Sequence, residues 1–269
     1  MISMILVTGA AGKTGRAVIA ALTMRGEKVR AFVHRPEQGF IAKGSGAQET
    51  FNGDLTQTRD MVDASRGAEA IYHICPNVSP KEVEIGQAAI TACIKNGVKR
   101  FVYHSVLHPH TRDMPHHWAK LQVEELLFQS GLEYTILQPA SYMQNIMGNW
   151  RAIVEEGIFK VPYPPETRLS MVDLEDVAEV AAQVLSDRKH AGAIYELAGP
   201  NCLSQLEVAK ILSIELAREV IASEESPGEW LDRMQGSGLS EVQLSTLVNM
   251  FEYYAKYGFV GSSVILEHL

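Results

Sequence analysis

Apolar positions along the first half of the chain follow two alternating rhythms. MILVTGA, residues 4–10, is a short continuous apolar run that ends at a glycine, as expected of a strand buried on both faces. GKTGRAVIAALTMRG, residues 12–26, repeats its apolar positions at helical spacing and closes on Gly26. Strand character returns in KVRAFVHR (28–35), AQETFNGDL (47–55), AEAIYHICP (68–76), VKRFVYHSV (98–106) and LEYTILQP (132–139). Helical patterns occupy PKEVEIGQAAITACIKNG (80–97) and HWAKLQVEELLFQSG (117–131), with Gly97 and Gly131 placed as C-caps. Such alternation predicts a parallel sheet covered on both faces, and right-handed crossovers make it a Rossmann-type doubly wound α/β fold.

After residue 140 the rhythm changes. SYMQNIMGNWRAIVEEG (141–157) reads as helix, GIFKVPYPPETRLSMVD (157–173) as loop with short strand, and LEDVAEVAAQVLSD (174–187) as a strongly amphipathic helix. GAIYELAGP (192–200) returns to strand, and the remainder reads as mostly helical. The expected organisation is a main domain over residues 1–150 and a smaller mixed subdomain, mainly helical, over 151–269, with a strand near 193–198 rejoining the sheet.

Composition narrows the function classes. A chain of 269 residues, 46% hydrophobic, has enough apolar surface for a substantial core. A net charge of -8 with no local cluster of Lys and Arg argues against a nucleic-acid partner. Cys75, Cys93 and Cys202 show no CxxC spacing, so they read as small hydrophobes in a reducing compartment rather than disulfides or zinc ligands. The opening MISMILVTGA lacks the basic start and long apolar run of a signal peptide or membrane span. A cytoplasmic protein without a membrane partner is expected.

The chemistry begins at VTGAAGKTGR, where Gly9, Gly12 and Gly15 recur every three residues between a predicted strand and helix. Such glycines permit a tight turn, close approach of backbone to a pyrophosphate and close helix packing, and the helix N-terminus favours the phosphates. A dinucleotide site is predicted there, with Ala11, Lys13 and Thr14 in the loop as further contacts. At the end of the second strand, where an acidic residue would bind the ribose of NAD, stand His34 and Arg35. Arginine can clamp a 2′-phosphate, which points to NADP(H); alternatively Arg35 is a solvated strand-end residue. Asp54 in NGDL is a candidate for the adenine amino group, or a carboxylate near a helix N-terminus. Leu55 beside it, and Cys75 and Pro76 after the fourth strand, complete the expected cofactor wall.

VTGAAGKTGR, AFVHRP, NGDL, FVYHSV, HHWAK and LQPASYMQN, in this order, together resemble the NmrA-like branch of the atypical short-chain dehydrogenase/reductase superfamily. The resemblance covers about the first 200 residues well. It implies either an NADPH-dependent reductase of quinone-like or conjugated electrophiles, or a non-catalytic NADP(H) sensor that acts through a regulatory protein partner. Active members of the superfamily use a Ser, a Tyr and a Lys. By resemblance Lys120 takes the lysine position and Ser105, or Val106 by an offset of one, the serine position. His116, not tyrosine, stands four residues before Lys120. A histidine of ordinary pKa can itself give up a proton at neutral pH, so His116 is a candidate donor; otherwise it is a polar helix-start residue after Pro115. Gln138, Pro139 and Ala140 are expected near the nicotinamide, and Tyr142, Met143 and Asn145 in a substrate pocket; the alternative, favoured for Met143, is ordinary packing of the following helix. The five histidines between 104 and 117 lack a metal-ligand spacing, and no metal is expected.

Overall fold

A computed structural model describes residues 4–269. Its first half is β1 (Met4–Val7), α1 (Lys13–Met24), β2 (Lys28–Val33), α2 (Gln38–Gly44), β3 (Glu49–Asn52), α3 (Thr58–Ser65), β4 (Ala68–His73), α4 (Glu82–Asn96), β5 (Arg100–His104), α5 (Pro115–Ser130) and β6 (Glu133–Pro139). The second half runs through β7 (Ser141–Tyr142), a 3-10 segment (Met143–Asn149), α6 (Trp150–Glu156), β8 (Ile158–Val161), β9 (Arg168–Val172), α7 (Leu174–Ser186), a short 3-10 turn (Arg188–His190) and β10 (Ile194–Leu197). It ends with β11 (Cys202–Ser204), α8 (Gln205–Glu215), β12 (Ile221–Glu224), α9 (Pro227–Arg233), α10 (Glu241–Tyr257) and α11 (Val264–His268).

Seven parallel strands in the order β10-β6-β5-β4-β1-β2-β3 form the central sheet. The predicted strand near 193–198 is β10, paired with β6 at the sheet edge. One face is covered by α1 and α7, whose Val18, Leu22, Val177 and Val184 share a core with Ile5 and Val7. The opposite face is covered by α3, α4 and α5 through Met61, Ala89, Val123 and Leu127. Because apolar side chains leave both strand faces, the strands read as continuous apolar runs. Gly97 and Gly131 end α4 and α5 in the left-handed conformation, at φ 65° and 74°.

One expectation is corrected. Residues 141–157 are not one helix. Ser141 and Tyr142 pair with Met171 and Val172 of β9, and the Gln144 side chain bonds Asp173 Oδ1 at 2.8 Å and Leu174 N at 3.1 Å. These tertiary bonds pull the first turn out of helical geometry, and α6 starts only at Trp150. The smaller subdomain is mixed, as expected, and its strands find distant partners: β11 pairs antiparallel with β9, and β12 pairs parallel with β8. Each partner lies tens of residues away, beyond the reach of local periodicity. Ile153, Phe159, Val161, Val208 and Val220 form a separate small core there.

Candidate active site

The carboxyl ends of β1, β4, β5 and β6 stand level, with Val7 opposite Tyr72, His73 opposite Tyr103 and His104 opposite Leu137. Above this edge lies a cavity of about 1000 Å³, reaching from the glycine loop to the aromatic side chains of α9 and α10. The predicted cofactor and substrate residues border it, except Arg35, Gln138 and Met143.

The glycine loop has the shape its spacing requires. Gly9 sits at φ +58°, and a Cβ on Gly15 would lie 2.3 Å from the Gly9 carbonyl oxygen. Gly12 is the N-cap of α1, which carries no side-chain cap and no acidic residue in its first turn. The first N–H groups of α1 therefore keep their partial positive charge for an anion. Thr8 Oγ1 accepts from Ile74 N at 2.8 Å and lies 3.1 Å from His73 Nδ1, locking the ends of β1 and β4 together beneath the loop.

His34, Asp54, Leu55, Cys75 and Pro76 border the cavity on the β2–β4 side. Asp54 is a local turn acceptor, taking Thr56 N at 2.9 Å and Thr56 Oγ1 at 2.8 Å, and these bonds hold its carboxyl below the ordinary range. Arg35 stands outside the wall, exposed, with Nε 3.5 Å from Glu37 Oε1. The Gln38 side chain accepts from the backbone N–H of both His34 and Arg35 at 3.0 Å, fixing this turn.

At the centre lies Lys120, whose ammonium donates to Glu82 Oε1 at 2.9 Å and to the His104 carbonyl at 3.2 Å. Tyr103 Oη donates to the same Glu82 oxygen at 2.7 Å. Ser105 borders the cavity, but its hydroxyl donates to Glu124. Gln138 Nε2 also donates to Glu124, at 3.0 and 3.1 Å, so strand alternation turns this side chain beneath the sheet edge. Burial pushes the Glu124 carboxyl up, against the Ser105 and Gln138 hydrogen bonds. Met143 turns its methyl toward Gly199 instead of the cavity.

The histidines have separate tasks. Burial lowers His104 to about 3, so it is neutral. Its Nδ1 lies 2.7 Å from Tyr72 Oη and its Nε2 2.9 Å from Tyr142 Oη. Tyr72 is fully buried, and its phenol is best satisfied by donating to Nδ1; the Nε2–H then donates to Tyr142. Thr14 Oγ1 lies 3.2 Å from Tyr142 Oη, which ties the glycine loop into this chain. Lys13 reaches across to Asn145 Oδ1 at 2.7 Å. His117, lowered to about 3 by burial, donates Nδ1–H to the His108 carbonyl at 3.2 Å. His108 and His117 both set ring edges against Phe259, at 5.5 and 5.8 Å. His116 borders the cavity, and burial, with Lys120 adding to it, lowers it to about 4. It is therefore a neutral imidazole at pH 7 rather than a proton donor of ordinary pKa.

The far wall is aromatic. Tyr254 stacks on Phe259 at 4.8 Å, Tyr163 lies 6.2 Å from both Phe251 and Tyr254, and Trp230 meets Phe251 edge-on at 5.0 Å. This chamber, Glu82 and Glu124 escape a reading of the sequence. Nothing local separates the buried Glu82 from Glu84, two residues along the same helix.

Residues 1–267 match the NmrA-like family. An NAD(P)H azoreductase of Xenophilus azovorans is 32% identical over 219 residues, 81% of this chain and 75% of that protein. Quinone oxidoreductase 2 of Escherichia coli strain K12 is 27% identical over 276 residues, 99% of this chain and 93% of the relative. The crystal structure of the Escherichia coli NADPH-dependent quinone oxidoreductase complexed with NADPH superposes with a TM-score of 0.85 at 25% identity, covering 99% of this chain and 94% of that one. The family match over almost the whole length, on this fold, shows that the chain belongs to the NmrA-like family.

Proposed function

We propose that this protein is an NADPH-dependent reductase of quinone-like or other conjugated small-molecule electrophiles, working in the cytoplasm. The observation that carries the reading is the single cavity joining an uncapped, glycine-lined helix N-terminus to an aromatic chamber, with Lys120 between them. The azoreductase and quinone oxidoreductase activities of the relatives support the same class. The first 150 residues, of which 1–3 lie outside the described ones, would hold the cofactor, and 151–269 would complete the substrate chamber.

The residues present suit the dinucleotide. Gly9, Ala11, Gly12, Lys13, Thr14 and Gly15 would take the pyrophosphate, Asp54 and Leu55 the adenine, and His34 with Arg35 the 2′-phosphate. Cys75, Pro76, Pro139 and Ala140 would flank the nicotinamide half, and Lys120 would bind the ribose. When bound, the cofactor supplies a hydride. The chamber around Tyr163, Tyr254 and Phe259 would hold a flat acceptor by stacking and exclude water, with Tyr142 and Asn145 at its entrance. His116 would give the acceptor oxygen one hydrogen bond, and the proton that completes reduction would arrive from water.

A panel of quinones, azo dyes and enones with NADPH, followed at the nicotinamide absorbance, tests this: oxidation of NADPH with at least one acceptor is expected. Tight NADPH binding with no oxidation across the panel would replace it with the sensor reading. In the same assay Arg35→Asp should weaken NADPH far more than NADH; an unchanged preference would remove Arg35 from the 2′-phosphate site.

A further inference from the structure

Glu82 is a carboxylate in an unusual place. It lies in the first turn of α4, 3% exposed, in the wall of the cavity. Burial alone would push its carboxyl up, yet Lys120, Tyr103 and Cys75 together hold it below the ordinary range. A buried ion pair is poor value for stability, because desolvating both charges consumes most of their attraction. Its position suggests another use. An ammonium has three N–H donors; one of those on Lys120 goes to Glu82 and a second to the His104 carbonyl. The third is left for the cavity that Lys120 borders.

We propose that Glu82 is the positioning residue for Lys120: it keeps the group a charged ammonium against the His104 carbonyl, so that its remaining N–H meets the ribose of the bound dinucleotide. This rests on the reading of the cavity as the NADPH site. Glu82 touches no reacting atom and acts only through Lys120.

The surroundings make the idea testable by pH. Facing the pair are His73 from β4 and Cys75 just after it, Tyr103 and His104 from β5, and His116, His117 and Glu124 from α5; Lys81 precedes Glu82 in the chain and borders the same cavity. Burial lowers His73 and His116 to about 4 and His104 and His117 to about 3, and raises the Cys75 thiol and the Tyr103 phenol. These six therefore keep one protonation state between about pH 6 and 9. Glu124, raised by burial, Lys81 and the cofactor's own phosphate are present equally in wild type and variant, and a ratio of the two cancels them.

The experiment is NADPH binding by nicotinamide fluorescence from about pH 6 to 9 for wild type, Glu82→Gln, Glu82→Asp and Lys120→Met, with proton uptake measured by calorimetry in two buffers. In Glu82→Gln a buried amine has lost its anion, and burial then favours its neutral form. Relative to wild type, E82Q should bind within about twofold near pH 6 and about tenfold more weakly near pH 9, with proton uptake on binding at the alkaline end. E82D should recover part of that loss, and K120M should bind weakly at every pH. A constant E82Q-to-wild-type ratio, whether unity or larger, would overturn the positioning role and leave Glu82 as structural. Should E82Q fail to fold, an E82D profile parallel to wild type, without added proton uptake, would overturn it as well. Wild type that binds no NADPH would instead overturn the reading of the cavity, and this proposal with it.

Discussion

The two walls of the cavity are built in opposite ways. The wall proposed for the cofactor is local: Gly9, Gly12 and Gly15 lie within seven consecutive residues, and what they supply is a backbone shape. The aromatic wall is assembled from Tyr163, Trp230, Phe251, Tyr254 and Phe259, which meet only because β8, α9 and α10 converge above the sheet. The first wall should tolerate almost no change in its own residues. The second should tolerate loss of a side chain at a cost in stability and acceptor binding, without a large effect on the cofactor.

Gly15→Val should have the largest effect. Its Cβ would sit 2.3 Å from the Gly9 carbonyl oxygen and 2.8 Å from Ala10 Cα, both backbone atoms that cannot step aside. NADPH binding should be lost with every acceptor. Gly148→Ala, where a Cβ meets nothing within 4 Å, should bind normally. Fluorescence titration of both variants checks the contrast; normal binding by the valine variant would show that the loop is not the phosphate cradle.

Phe259→Ala tests the other wall. Phe259 is fully buried between Tyr254, His108 and His117, so its removal should cost about 3–5 kcal/mol in denaturant unfolding. At a temperature where the variant is folded, kcat/KM for quinones should fall while the Kd for NADPH holds. Equal losses in both would mean that the two walls are not separable.

This division explains how much was legible in the sequence. The Rossmann sheet, its C-capping glycines and the shape of the glycine loop depend on neighbours within a few residues, and the chain displays them. The resemblance points to Lys120 at the lysine position, but its partner Glu82 is 38 positions away, on another helix. The direction of the Gln138 side chain depends on which residue of β6 faces α5. Residues 141–157 depart from the helix their periodicity predicts for the same reason: Gln144 is held by Asp173 and Leu174. One local signal was there to be used: SQLE, SPGE and SEVQ, at 204–207, 226–229 and 240–243, are three capping boxes that mark the starts of α8, α9 and α10.

The buried histidines lie beneath and beside the cavity and give the fold an acid limit. His73, His104 and His117 are lowered to about 4, 3 and 3 by burial, below the ~6.5 of an unfolded chain. The unfolded chain therefore binds more protons in this window, so stability is complete above about pH 6.5 and is lost as pH falls toward 4. Each of the three contributes up to about 1.4 kcal/mol per pH unit there. Glu82, also lowered, adds in the same direction at lower pH. Tm measured from about pH 7 down to 4.5 should fall progressively; a flat profile would mean that these imidazoles are already charged in the fold.

His116 should show the smallest effect, and it separates the walls most finely. It shares a helix face with Lys120 on the cofactor side, yet its ring meets His117 edge-on at 4.5 Å, and His117 leans on Phe259 of the aromatic side. Held neutral by burial, it can offer an acceptor one hydrogen bond, not a ready proton. His116→Phe should therefore lower turnover of neutral quinones by about tenfold or less, the worth of one hydrogen bond. A cationic dye, which takes hydride without developing an oxyanion, should lose little. NADPH affinity should stay unchanged, because Lys120 keeps both of its partners. Equal losses for the two acceptor types would reduce His116 to packing, and a weaker NADPH complex would assign it to the cofactor wall.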